Sequence, residues 1–291
     1  MARPIIILPD PPSPPQPMGL IAGGGRLPIL VAEGMRAAGH PVYCIGLSGQ
    51  YPAELKPMCD RFREVGVLRL GSWIRNLRRM GVRHAVMVGQ IDKARLLHSW
   101  AVIIKSVPDV RTLRLFFENR RDRRSHVMLA IVADQLSAHG VELIDSTTHI
   151  RQYMAHTGTI TDHKPSASQK ADIEFGWPLL LEMLRLDIGQ SMAVRESDVI
   201  AVEAVEGTDR MIERAGQLCR ASGWTLIKGA RAWHDRRSDV PTIGPDTIEN
   251  LHAAGGGCLA IAAEDVIMVD KADTITLADR LGISIVGVPP V

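Results

Sequence analysis

The chain has 291 residues, too many for one ordinary compact domain and enough for two. Its hydrophobic fraction of 46% can build real cores, and a net charge of +2 excludes an overall polyanion-binding character. Four Phe, five Trp and three Tyr are too few to suggest base-stacking platforms, so no nucleic-acid partner is expected.

At the start, the apolar Ile5–Leu8 is too short for a signal-peptide core. The proline-rich Asp10–Pro17 predicts an extended, poorly ordered lead-in over residues 1–17, because proline fixes φ and cannot donate to a ladder. Gly19–Ala22 then reads as a buried strand running into Gly23-Gly24-Gly25, and Leu27–Ala38 as a helix stopped by Gly39. Val42–Ile45 and Ala85–Val88 are strands, and Gly71–Met80 is a helix with Trp73, Ile74 and Leu77 on one face. The stretch Arg111–Arg124 holds six arginines against two acids, which fits an anionic-surface patch or a solvated helix face. Ser125–His139 is an amphipathic helix ended by Gly140, and Val141–Ile144 is a strand. Strands alternating with helices at this spacing predict an α/β domain over residues 18–150, with a parallel sheet covered on both faces.

His156–Lys170 is polar and reads as an inter-domain connection, so a second α/β domain is expected over residues 151–291. It begins with helix Ala171–Leu186. Met192–Val194 and Val199–Ala204 follow as paired strands around Glu196-Ser197-Asp198. Thr208–Ala221 is a helix that Thr208 is placed to cap. Thr225–Lys228, Leu259–Ala262, Val266–Val269 and Ser284–Val288 are strands, with helices at Thr247–Ala254 and Ala272–Leu281. Cys44, Cys59, Cys219 and Cys258 have neither zinc-ligand nor redox spacing, which fits buried thiols in a reducing cytoplasm. No apolar run reaches the roughly 20 residues a membrane-spanning helix needs.

Four stretches carry chemistry. Gly23-Gly24-Gly25 lies between a strand and a helix, where backbone amides can meet an anion; Pro28 replaces the last glycine of a dinucleotide fingerprint and the P-loop lysine is missing. That leaves a substrate loop or a plain tight turn. Gly89-Gln90 follows a strand at the carboxyl edge of the sheet, where glutamine can offer a donor and an acceptor or simply end the strand. Glu203–Asp209 gathers three acids and a threonine at a strand-to-helix junction, suited to Mg²⁺ or to a plain helix start. Trp233–Gly244 mixes His, Asp and Arg, with Lys228 and Arg231 just ahead of it. Its arginines suit phosphate and its aspartates suit a metal or general base; a salt-bridged connector is the alternative.

Taken in order, Gly19–Pro28, Arg185–Gln190, Val202–Asp209 and Asp239–Gly244 resemble the LpxI family over nearly the whole chain after the lead-in. The resemblance implies a Rossmann-like N-terminal parallel-sheet domain and a distinct C-terminal α/β domain, with the substrate held between them. The implied reaction is hydrolysis of UDP-2,3-diacylglucosamine to 2,3-diacylglucosamine 1-phosphate (lipid X) and UMP. It uses a divalent cation, normally Mg²⁺, with water attacking the β-phosphorus. By the same resemblance Asp239 is catalytic, Glu206, Thr208 and Asp209 form an E-G-T-D motif, and Gly23–Gly25, Gln190 and Lys228 match family positions. We therefore expect catalysis by Asp239 and Asp209, and metal binding by Asp239, Asp209 and Glu206. Substrate contacts are expected from Gly23, Gly24, Gly25, Gly89, Gln90, Gln190, Thr208, Lys228, Arg236 and Thr242. The acyl chains need an apolar crevice, for which Trp100–Ile104 and Phe116-Phe117 are candidates, core packing being the alternative. A homodimer is implied by resemblance, and peripheral inner-membrane contact follows from the lipid substrate. The chain departs from the family at Arg124–Leu129, where many members carry G-D-D-x-L-L and here both acids are gone. A binding module without turnover, or a hydrolase of another UDP-sugar, are the rival expectations.

Overall fold

A computed structural model of the protein describes residues 8–92, 107–120, 124–231, 235–238 and 240–290. Ile5–Ile7, Trp100–Ile104, Trp233, His234 and Asp239 lie outside the described residues. The chain divides into two compact units, Met1–Arg151 with Asp235–Asp239, and Gln152–His234 with Val240–Val291.

The first unit is built on five strands, β1 (Met18–Ala22), β2 (Val42–Leu47), β3 (Arg61–Val65), β4 (His84–Val88) and β5 (Glu142–Leu143). They form one sheet in the order β3-β2-β1-β4-β5, every pair parallel. Every residue of β1 is buried, as its unbroken Met-Gly-Leu-Ile-Ala run requires of a central strand covered on both faces. The sheet departs from expectation at β3, which the sequence did not suggest. Arg61-Phe62-Arg63-Glu64 alternates charge with one aromatic, and such a strand survives because it is an edge with its charges in solvent. Among the described residues four helices accompany the sheet: α1 (Leu27–Ala37), α2 (Leu70–Arg79), α3 (Val110–Glu118) and α4 (Ser125–Ser137). Helix α2 buries Trp73, Ile74 and Leu77, as its spacing predicted. Helix α3 lies in the basic stretch; Asp109 caps it by accepting the Thr112 amide at 3.0 Å and reaches the Gly71 amide of α2 at 2.7 Å. The end of the lead-in is fixed to the unit, with the Gln16 carbonyl 2.9 Å from His40 Nδ1.

In the second unit, six strands form a mixed sheet: β6 (Gly158–Thr159), β7 (Ser191–Arg195), β8 (Asp198–Val202), β9 (Trp224–Lys228), β11 (Gly256–Ala262) and β13 (Ser284–Val288), in the order β6-β13-β11-β9-β7-β8. Strands β9, β11 and β13 run parallel, and β7 is antiparallel to both β8 and β9. Glu196 and Ser197 take left-handed conformations to close the β7–β8 hairpin. Helices α5 (Ala167–Arg185), α6 (Thr208–Leu218), α7 (Pro245–Ala253) and α8 (Lys271–Arg280) complete it. The expected strand Val266–Val269 shrinks to β12 (Ile267–Met268) and pairs with β10 (Thr242–Ile243) instead of joining the large sheet. The polar stretch His156–Lys170 is not a linker: it belongs to the second unit. Its β6 pairs with β13, Thr161 Oγ1 accepts the buried Ile285 amide at 2.9 Å, and Ser166 with Gln169 makes a capping box for α5. Low apolar content there reflects capping and edge pairing.

Candidate active site

In the second unit the strand directions bring several motif residues to one end of the sheet. The antiparallel register sets Ser191, first in β7, beside Lys228, last in β9. Glu203 follows the end of β8 and bonds the Ser191 carbonyl through its amide at 2.9 Å. Thr208 opens α6 just beyond. The side chains form a relay. Lys228 Nζ donates to Thr208 Oγ1 at 3.3 Å and to the Thr242 carbonyl at 2.9 Å. Thr208 Oγ1 donates to Glu203 Oε2 at 3.0 Å, and Ser191 Oγ donates to the same oxygen at 2.5 Å. Lys228 is 5% exposed and Glu203 is buried, so this is a desolvated cation and anion joined through a hydroxyl. Burial pushes the Lys228 ammonium down from its ordinary value, while the charges of Glu203 and Asp209 pull it back up. Gln190 shares this strand end and accepts the Gly229 amide through its carbonyl at 3.0 Å.

Thr208 is therefore not the helix cap. Gly207 holds that position without a side-chain bond, and the Thr208 hydroxyl is committed to the relay. Ser191 is the residue that motif reading passed over, and of the three acids in Glu203–Asp209 it assigned Glu206 and Asp209 to the site in place of the buried Glu203. A signal existed: Glu203 directly follows the apolar run of β8, where a side chain still points inward, whereas Glu206 lies in a turn. Glu206 is taken up locally. Its carboxylate accepts from Arg214 at 2.5 Å and from the Ala204 amide at 3.1 Å. Its own backbone amide, Arg214 and the Ala204 amide hold it below the usual carboxylate range. Asp209 is exposed in the first turn of α6, with Asn250 Nδ2 3.4 Å from its Oδ1. Among the described residues, no group of three or more His, Cys, Asp or Glu side chains could hold a metal ion. Magnesium asks for less, commonly one or two carboxylates with waters and substrate phosphates. Asp209 fits that demand; Glu206 would first have to leave Arg214.

In the first unit, the loops after β1 and β4 meet where the strand order reverses, the usual ligand position of an open α/β sheet. They meet backbone to backbone. The Gly24 amide donates to the Gln90 carbonyl at 2.7 Å, and the Gln90 amide returns a bond to Gly24 at 3.0 Å. A Cβ on Gly23 would fall 2.7 Å from the Gln90 carbonyl oxygen, and one on Gly89, at φ +97°, 2.7 Å from the Gly23 carbonyl carbon. Close packing thus explains both glycines. The Gly23 and Gly24 amides are spent on Val88 and Gln90, so they do not form the anion cradle expected of the loop. That expectation narrows to Gly25 and the start of α1. Gln50, from the loop after β2, is buried beside them and exchanges bonds with the Asp92 backbone at 2.8 and 3.3 Å.

The described part of the charged loop is salt-bridged within the first unit. Asp235 and Arg237 are both buried and pair at 2.7 Å, and Arg237 also reaches Asp134 at 3.1 Å. Arg236 donates to Asp145 Oδ2 at 2.8 Å and to Thr147 Oγ1 at 3.0 Å. Burial works against the Asp145 carboxylate, but Thr147 and Arg236 hold it below its ordinary value. The connector reading thus describes residues 235–238 well, and Arg236 meets a carboxylate in the first unit where a phosphate contact was expected.

Residues 17–153 match the family model described as the LpxI N-terminal domain, and residues 156–286 match the LpxI C-terminal domain. The UDP-2,3-diacylglucosamine pyrophosphatase LpxI of Caulobacter vibrioides is 29% identical over 282 residues, spanning 94% of this chain and 98% of that protein.

Proposed function

The chain belongs to the LpxI family, and from that premise we propose that it hydrolyses UDP-2,3-diacylglucosamine to UMP and 2,3-diacylglucosamine 1-phosphate. The observation that carries this reading is the Lys228–Thr208–Glu203 relay, a buried cation held at the sheet end where the family motifs converge. Breaking a phosphoanhydride calls mainly for positioning and for neutralising charge that builds on the phosphates. An ammonium has three protons. Thr208 and Thr242 take two, which leaves the third for a phosphate oxygen. Glu203 keeps the Thr208 hydroxyl pointing away from Lys228, so the threonine offers the lysine a lone pair and fixes where the ammonium lies.

Asp239, assigned by resemblance, orients the water that attacks the β-phosphorus. A divalent cation, expected to be Mg²⁺, would supply further charge neutralisation, with Asp209 as a carboxylate to hold it. Gln190, at the same strand end, is the residue we assign to the nucleotide or sugar.

Hydrolysis in ¹⁸O-labelled water tests the mechanism. Label in the sugar 1-phosphate is expected, and label in UMP would reject attack at the β-phosphorus. A panel of UDP-sugars with and without acyl chains tests the substrate class. Equal turnover of non-acylated UDP-sugars would move the assignment to another nucleotide-sugar hydrolase. One feature favours a second reading: Arg124-Ser125-His126 stands where many relatives carry the acid pair. Tight binding without UMP release would select a binding module.

A further inference from the structure

Helix α3 leaves an apolar stripe in solvent. Val110 is 83% exposed and Phe117 68%, with Leu113 between them also exposed. Their i, i+3, i+7 spacing puts them on one face, while Thr112 and Leu115 are buried on the other. Phe117 is thus not core packing, and Val107 extends the exposed apolar surface ahead of the helix. Single exposed apolar residues need no explanation, but a contiguous stripe marks a contact.

Its charged surroundings identify the partner. Arg114 lies on the helix paired with Glu118 at 2.7 Å, and the Arg120 guanidinium is 4.7 Å from the Phe117 ring centroid. Helix α2 packs against α3 through the Asp109–Gly71 and Thr112–Leu70 bonds and exposes Arg75, Arg78 and Arg79. Between Val65 and Ile91 the chain has five arginines and no Asp or Glu, although its net charge is only +2. Of these, the exposed Arg75, Arg78 and Arg79 lie on α2, the helix bonded to the one that carries the apolar stripe.

We propose that α2 and α3 form a docking surface for an anionic lipid bilayer. The α3 stripe enters the headgroup boundary and the arginines meet lipid phosphates. A second copy of the chain suits this surface less, because two-fold pairing would set like charges against each other. The surface stands on its own residues and does not depend on the proposed reaction.

The test is co-sedimentation of the full chain with phosphatidylcholine vesicles, with and without phosphatidylglycerol, at low and high salt. We expect at least about tenfold stronger binding to the anionic vesicles, weakened by salt. The double variant Val110→Glu/Leu113→Glu should lose at least about tenfold. Arg78→Ala/Arg79→Ala should weaken binding about fivefold per arginine. All these proteins should keep the same thermal melt and the same UMP release from substrate in detergent micelles. Equal binding to neutral and anionic vesicles, or undiminished binding by the Glu variant, would overturn the proposal. So would a wild-type dimer that the Glu variant dissolves without lipid. Absence of UMP release in every protein, with vesicle binding as expected, would remove the reaction and leave the surface standing.

Discussion

Lys228 is held almost out of water, and its partners are what make that tolerable. Two acceptors and a nearby carboxylate compensate the ammonium, so removing either end leaves the other charge stranded. Lys228→Met should cost about 3 kcal/mol of stability, measured by urea unfolding. It should also lower kcat by about 10²–10³, the usual loss on deleting a donor aimed at developing charge. Glu203→Gln keeps a hydrogen-bonding side chain of the same size but removes the charge. We expect it to lower kcat more than it raises KM, and Glu203→Ala to be worse on both. Wild-type kinetics in Glu203→Gln would show that the relay does not serve the reaction. Of these residues, Lys228 and Thr208 were legible as motif positions. Glu203 was legible as one acid of the Glu203–Asp209 stretch, but its bond to Ser191 was not, because what joins them is the antiparallel register of β7, β8 and β9, and no local motif encodes that register.

Among the elements, the loop after β5 carries two groups whose protonation is coupled to folding. His149 lies there, its ring 5.3 Å edge-on from that of His40. Burial and the His40 charge push it down to about 4. The folded state therefore resists protonating His149 while the unfolded chain accepts a proton near pH ~6.5. Its contribution is intact above that value and falls as pH drops toward about 4, below which both states are protonated. Asp145 acts lower on the scale. Its depressed carboxyl adds stability above the ordinary carboxylate value, which is lost as pH falls through its folded one. Urea midpoints from pH 7.5 to 4.5 should decline in wild type and flatten in His149→Gln; an equal slope in both would reject the assignment. At the β1–β4 junction, Gly89→Ala combines a positive φ with a backbone clash. It should cost about 1–3 kcal/mol in the same unfolding measurement. Strands such as β1 and β9 were legible because both their faces are buried. Strands β3 and β10 were not, since an edge strand of alternating charge and a two-residue strand after Pro241 carry no hydrophobic period.

At the scale of the whole molecule, the chain passes from one unit to the other three times, and Asp235–Asp239 is the short segment grouped with the first unit. Its buried Asp235–Arg237 pair and the Arg236–Asp145 bridge fix the residues leading up to Asp239. Asp235→Ala should destabilise by about 3 kcal/mol, since it leaves the buried Arg237 guanidinium with the exposed Asp134 in place of a buried bidentate partner. Two α/β units in this order were legible from alternating strands and helices. The return of 235–239 was not, because it depends on ion pairs to Asp134 and Asp145, about a hundred residues away in the chain. The most direct test of the account is UMP release from UDP-2,3-diacylglucosamine with Mg²⁺, comparing purified wild type with Asp239→Ala. Turnover by wild type, with retained substrate binding and almost no turnover in the variant, is the expected result. Wild type that binds the substrate and releases no UMP, or an Asp239→Ala variant as fast as wild type, would contradict it.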